Sequence, residues 1–378
     1  MTGARVRAAQ PRLRAAPALW CVALGLALIA LGGLFAATPL YPGGVAFVLA
    51  GVGSCAWVMR AGAGASVSRE LASQRVIEGE PLRVRVQARC SRGPLPGGEL
   101  RDPLLPRPVR VPPGHDHLGV PIEARFARRG LRVLAAPRLL VRDPLALATR
   151  PVLGTGPDRV LVLPRTEPVR WAARAASSAG SGLAALLAPA AGSELDGLRP
   201  YREGAPASRI HWQALARGSG LFERQLRSES ERRPLVALDA RDADGHEGLA
   251  ALDAAVRAAA SLCLALGAIG GCALLLPGER RARWLAADLA GWPSLHARLA
   301  LVQACAAPPS AGVVAAHTGV VFQVCARAPR ASRAAGVQRG RVLVVAGGIA
   351  GRAGDFEVSG CTGYLLDRAR RKVARAAA

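Results

Sequence analysis

Residues 1–60 carry no acidic side chain and hold two apolar runs, and this pairing limits the chain's folding options more than any other feature. Arg5, Arg7, Arg12 and Arg14 precede an uncharged stretch from Ala18 to Ala37. At about 1.5 Å per residue, a helix of that length reaches roughly 30 Å, the thickness of a bilayer's hydrocarbon core. The turn-forming segment Thr38–Gly44 follows, then a second apolar run, Val45–Met59, ending at Arg60. With Leu40–Gly44 included, this run also approaches spanning length. A secretory leader would have a shorter apolar region, a small-x-small cleavage site and no second run; Phe35-Ala36-Ala37 fits such a site poorly. The expectation is a transmembrane helical hairpin over 1–60, with spans near 18–37 and 40–59. Arginines lie before the first span, Arg60 and Arg69 lie after the second, and the turn between is uncharged. By the positive-inside bias, both termini and the remaining 318 residues face the cytoplasm.

Fifty Arg and Lys stand against 26 Asp and Glu, a formal charge of +24, yet only Lys372 is a lysine. A hydrophobic content of 51% excludes a disordered polycation, and 4% aromatics give few platforms for stacking single-stranded nucleic acid. A solvated basic surface is preferred to specific nucleic-acid binding. The eight cysteines, Cys21, Cys55, Cys90, Cys263, Cys272, Cys305, Cys325 and Cys361, form no CxxC pair and mostly sit in apolar runs. They read as reduced thiols of a cytosolic environment, without a disulfide framework or zinc site.

Beyond the hairpin the texture divides. From 65 to 165 the period is two: Leu82, Val84 and Val86 alternate with Arg83, Arg85 and Gln87, and short runs at Pro108–Val111, Leu131–Leu134 and Val160–Leu163 are separated by Pro- and Gly-rich turns. Such spacing predicts a small antiparallel β-sandwich. His115-Asp116-His117 offers two imidazoles without a third ligand, so a solvated loop is the better reading. Residues 166–232 form a linker, with one short helix expected around Leu183–Leu187. From 233 to 378, the apolar runs Leu235–Leu238, Cys272–Leu276, Val320–Cys325 and Val342–Val345 alternate with helical stretches. The stretches are Leu249–Leu266, Ala282–Ala306 (interrupted at Pro293-Ser294) and Arg330–Val337. Strands apolar on both faces with helices between them predict a doubly wound α/β sheet. The basic tail Leu365–Ala378 reads as a solvated end before a lipid-lying helix.

No GxxxxGK[ST], HExxH or GxSxG motif is present, so catalysis has no positive signature. The segment Gly192–Leu226 is the most distinctive. It holds Arg199, Tyr201, Gly204, Arg209, Trp212 and Arg217, an alternation of guanidiniums and aromatics with turn glycines. Such a set can lock an irregular segment by stacking, with Trp212 buried beside Ile210, or it can form a recognition surface. The structural role is preferred.

The order Leu198, Arg199, Tyr201, Gly204, Arg209, Ile210, Trp212, Ala216, Arg217, Glu223 resembles the signature of the domain-of-unknown-function 58 family of bacterial membrane proteins. Arg128-Arg129-Gly130, Asp143-Pro144-Leu145 and Val162-Leu163-Pro164 resemble landmarks of that family's β-rich half. Ala205 and Gln213 depart from it, standing where the family usually has Asp and Lys. The resemblance implies that 233–378 is similar to a von Willebrand factor A domain, with Asp239 at the carboxyl end of its first strand. Such domains hold Mg²⁺ through D-x-S-x-S, but Arg241 and Ala243 occupy the two serine places here, and Pro277-Gly278-Glu279 offers no threonine. A guanidinium cannot coordinate a cation and repels one, so no competent metal site and no cofactor are expected. The fold class expected is thus an α+β membrane protein: hairpin, antiparallel sandwich, then a doubly wound von Willebrand factor A-like domain.

The resemblance further implies a plasma-membrane adaptor, not an enzyme, whose partners are a MoxR-type AAA+ ATPase and a transglutaminase-like membrane protein. An alternative is a membrane-associated enzyme acting on an anionic substrate through Arg199, Arg209 and His211, with Asp196 or Glu203 as the carboxylate beside the imidazole.

Overall fold

The computed structural model describes residues 13–172, 198–200, 212–218, 220–224, 233–243, 245–317, 319–328 and 341–366. The expected helices around Leu183–Leu187 and Arg330–Val337, and the basic tail beyond 366, lie outside these residues. The chain divides into two units: 1–127 with 131–162, and 128–130 with 163–378.

The first unit begins with an antiparallel helix pair, α1 (Ala16–Leu34) and α2 (Leu40–Gly64). The second helix starts at Leu40, the bound expected for the second span. Tyr41-Pro42-Gly43-Gly44 belongs to the first turn of α2, where proline's missing N–H has no helical partner to lose. Both helices are long and apolar enough to cross a membrane, and little of either is covered by protein. Leu19, Trp20, Leu24, Leu26, Leu49 and Val52 all point outward. On the inner seam, Ala18, Gly25 and Gly32 recur every seven residues, as do Gly44, Gly51 and Val58. A Cβ on Gly25 would come 2.6 Å from the Gly44 carbonyl oxygen, and one on Gly51 2.6 Å from that of Ala18. This close backbone contact is the kind of packing that pairs helices where apolar side chains gain nothing by leaving the solvent, as in lipid.

Ten strands follow in three sheets. The first holds β1 (Ala65–Leu71), β3 (Pro81–Cys90) and β6 (His117–Arg125), antiparallel throughout. The second has the order β2 (Arg75–Ile77), β10 (Asp158–Leu163), β7 (Gly130–Leu134). The third, also antiparallel, runs β5 (Val109–Val111), β4 (Gly98–Arg101), β8 (Arg138–Arg142), β9 (Thr149–Leu153). The period-two residues Leu82, Val84 and Val86 enter one apolar core with Leu100, Leu139, Val141, Val160 and Val162. Ala18 and Val58 belong to the same cluster, so the hairpin's root is part of this unit's core.

The Arg69 side chain is fully buried, bonding Asp102 through Nε at 2.9 Å and Nη2 at 2.7 Å. It also reaches Asp158 at 2.9 Å and the Ala135 carbonyl at 2.6 Å. Only a fully occupied guanidinium tolerates such burial.

The second unit centres on an eight-stranded sheet. Its parallel middle has the order β18 (Arg341–Ala346), β17 (Val321–Cys325), β14 (Leu235–Asp239), β15 (Cys272–Leu275). The chain starts at β14 and goes first one way and then the other, which is the doubly wound pattern. Antiparallel strands extend both sides: β16 (Arg283–Leu285) beyond β15, and β20 (Cys361–Leu365), β19 (Phe356–Val358) and β11 (Arg170–Trp171) beyond β18. The β19–β20 hairpin requires glycine at 363, because the Phe356 ring lies 2.1 Å from where its Cβ would be. Apart from this sheet, β12 (Leu198–Pro200) and β13 (Phe222–Arg224) pair antiparallel, with the short helix α3 (Trp212–Ala216) between them in sequence.

Helix α4 (Gly245–Gly270) also has membrane-spanning length and hydropathy, but 61% of its apolar window is buried. It packs on the sheet through Leu252, Val256, Leu262 and Leu266, each worth about 2 kcal/mol of burial. Between β15 and β17 come α5 (Trp292–Ala300) and α6 (Ala311–Ala316). The stretch 282–306 is thus not one interrupted helix. Its start is β16, and Pro293 opens α5 at a position where proline is favoured.

Candidate functional site

Two places in the second unit hold the residues that the sequence singles out: the exposed part of the signature segment and the carboxyl end of the sheet.

In the signature, Arg199 sits in mid-β12 opposite Glu223 of β13. Tyr201, Gly204, Ala205, Arg209 and His211 lie outside the described residues, as do Asp196 and Glu203. Trp212 opens α3 and is 59% exposed, which corrects its reading as a core residue beside Ile210. The inward residue of this turn is Ala214. Leu215, one helical turn on from Trp212, is exposed on the same face, and Leu221 is exposed just after the Gly218 and Gly220 turn. Gln213 and Arg217 are exposed beside them. An apolar strip flanked by a guanidinium is therefore presented outward. The W-x-x-L spacing could have revealed it, but only after α3 was known to be helical.

In a doubly wound sheet, ligands approach where neighbouring strands leave in opposite directions. Here that point lies between β14 and β17, at Asp239 and Cys325. Asp239 is engaged by Arg241, whose Nε lies 2.9 Å from Oδ1 and whose Nη2 lies 2.5 Å from Oδ2. The Arg241 backbone N–H also donates to Oδ1 at 3.2 Å. Hydrogen bonding to Asp239 holds the guanidinium proton above its ordinary affinity, against some desolvation. Burial, reinforced by the Asp239 charge, pushes the Cys325 thiol up to about 12. At neutral pH it remains a thiol and is a poor nucleophile. Ala243 is buried, and Asp242 takes a left-handed φ of 56°. At the end of β15, Glu279 pairs with Arg298 and, at 3.9 Å, with Arg283. No group of three His, Cys, Asp or Glu able to hold a metal occurs among the described residues. His115 and His117 are both exposed.

The upstream landmarks do structural work. Arg129, in the second unit, is buried and forms an ion pair with Asp253 at 3.2 Å, while its Nη1 donates to the carbonyls of Ala300 and Val302 at 3.2 and 2.8 Å, closing the end of α5. Arg128 meets the same Asp253 at 2.8 Å from a more exposed position. In the first unit, Asp143 accepts the N–H groups of Leu145 and Ala148 at 3.0 and 2.7 Å, fixing that loop. The Pro164 carbonyl accepts a bond from His296 Nε2 at 2.8 Å.

Fold and geometry define a class: a mixed α/β chain with an apolar helical hairpin, a strand-rich first unit and a doubly wound second one. No family model matches the chain, and no curated protein matches it.

Proposed function

We propose that this chain is a membrane-anchored, non-enzymatic adaptor that binds a protein partner through the surface around Trp212. The observation that carries this reading is the outward Trp212–Leu215 strip beside Arg217, since Trp and Arg dominate binding hot spots. The pairing of Asp239 with Arg241 supports a non-catalytic, metal-independent second unit of von Willebrand factor A type. The resemblance to the domain-of-unknown-function 58 family suggests the partners: a MoxR-type AAA+ ATPase and, in the same membrane, a transglutaminase-like protein. Arginine placement around the hairpin favours both termini and both units on the cytoplasmic side, and the family resemblance suggests that the membrane is a bacterial plasma membrane.

The test is co-purification from detergent-solubilised native membranes, read by mass spectrometry. Wild type should recover an AAA+ ATPase, and Trp212→Ala, with an unchanged melting temperature, should recover roughly thirtyfold less. Equal recovery by the variant would remove the Trp212 surface from the reading. A wild-type preparation without any protein partner would sink the adaptor itself.

A further inference from the structure

At the root of the hairpin, two clefts of about 590 and 850 Å³ share the walls Trp57 and Pro113. Arg60 and Arg92 line the first; Arg101, Arg110 and Arg142 line the second. Five guanidiniums thus face two carboxylates, Glu99 and Asp143. Asp143 is spent on backbone N–H groups, and Glu99 is shared between Arg101 at 2.9 Å and Arg142 at 3.5 Å. The clefts therefore keep an excess of positive charge, and all five arginines are exposed.

Depth gives this charge a ligand. About twenty residues of α2 cross the hydrocarbon layer, so a span beginning at Leu40 reaches the headgroups near Met59. Trp57 has the amphipathic ring typical of that boundary, and Arg60 follows one turn later. Leu145, between the cleft-lining Pro144 and Ala146, is 62% exposed, an apolar tip on the loop that Asp143 holds rigid. The neighbouring Leu147 carbonyl accepts the Ala18 N–H of α1 at 3.2 Å, so this loop stands at the hairpin's entry.

We propose that the clefts flanking Trp57 bind the phosphate of an anionic phospholipid in the leaflet where the hairpin begins and ends. Arg60 and Arg92 meet a phosphate in the first cleft and Arg110 one in the second, and the Trp57 ring between them meets the glycerol and upper acyl region. Free inorganic phosphate shares the recognised chemistry but has no use for Trp57 or for the apolar Leu145. The site rests on the hairpin being embedded, so that premise is tested first, by alkaline carbonate extraction of the full chain from membranes. Release by carbonate overturns the embedding and the site with it.

The full chain is then placed in nanodiscs of mixed phosphatidylglycerol and phosphatidylcholine, and retained lipid is read by native mass spectrometry. Wild type should keep phosphatidylglycerol over phosphatidylcholine by about tenfold, and R60Q/R92Q/R110Q should fall to parity. R83Q/R85Q, altering exposed arginines of β3, should behave as wild type. Single R92Q and R110Q variants give partial losses if the triple variant does not fold. Carbonate resistance without any wild-type headgroup preference would overturn the site and leave the embedding intact. Loss of phosphatidylglycerol to millimolar inorganic phosphate, with phosphate bound in its place, would assign the clefts to a soluble anion and overturn the lipid proposal.

Discussion

At the residue scale, two buried polar groups make opposite demands. Arg69 keeps its charge because Asp102, Asp158 and the Ala135 carbonyl occupy the guanidinium. Arg69→Met should therefore cost about 3–5 kcal/mol in chemical denaturation, mostly from stranding Asp102, whose side chain is fully buried. His296 instead stays neutral, because burial pushes its pKa below the usual 6.5 and the Pro164 carbonyl only partly offsets this. His317 is lowered for the same reason, with the Arg233 carbonyl as its partner. The unfolded chain takes up these protons near pH 6.5, while the folded rings resist them to lower pH. Stability of the second unit should fall as pH drops through 6.5, by at most about 1.4 kcal/mol per pH unit for each ring. H296Q/H317Q should flatten that slope in urea titrations at several pH values. None of these partners was legible in the sequence. Arg69 meets groups 33 and 89 positions away, and local pattern carries no trace of such pairing.

At the scale of elements, the hairpin seam gives a sharp contrast between two glycines. Gly25 touches the backbone of α2, whereas a Cβ at Gly43 would meet nothing within 4 Å. Gly25→Leu should force the helices apart and destabilise the solubilised chain by about 1–3 kcal/mol, while Gly43→Leu should be nearly neutral; thermal melts in one detergent would compare them. The elements themselves were largely readable. Alternation at Leu82–Val86 marked β3, and the double-faced apolar runs marked β14, β15, β17 and β18. Errors gathered at proline. Pro42 read both as turn-forming and as part of the 40–59 span, and Pro293 as a break; both lie in the opening turn of a helix, and a breaker and a starter look alike without the flanking structure. Trp212 was misjudged for a related reason: hydrophobicity indicates what a side chain prefers, and only the fold decides which face of a five-residue helix is covered.

At the scale of the whole molecule, each unit has its own apolar core, but the division is not a single cut through the chain. Residues 128–130 belong to the second unit although 131–162 belong to the first. Arg129→Ala in the intact chain should destabilise the second unit by about 1–3 kcal/mol, because the Ala300 and Val302 carbonyls lose their buried donor while Asp253 keeps Arg128 at 2.8 Å. Arg128→Ala, removing a half-exposed partner, should cost less than about 1 kcal/mol; denaturation curves of the two variants would decide. This arrangement also restricts how the gene can be rearranged. A recombination breakpoint between the codons for Val162 and Leu163 would pass on the α/β half without Arg128 and Arg129, the two arginines that pair with Asp253. The transplanted half would inherit a buried aspartate with no counter-charge. Shuffling of these halves among unrelated genes should be selected against, and the two stretches should travel through descent in one reading frame.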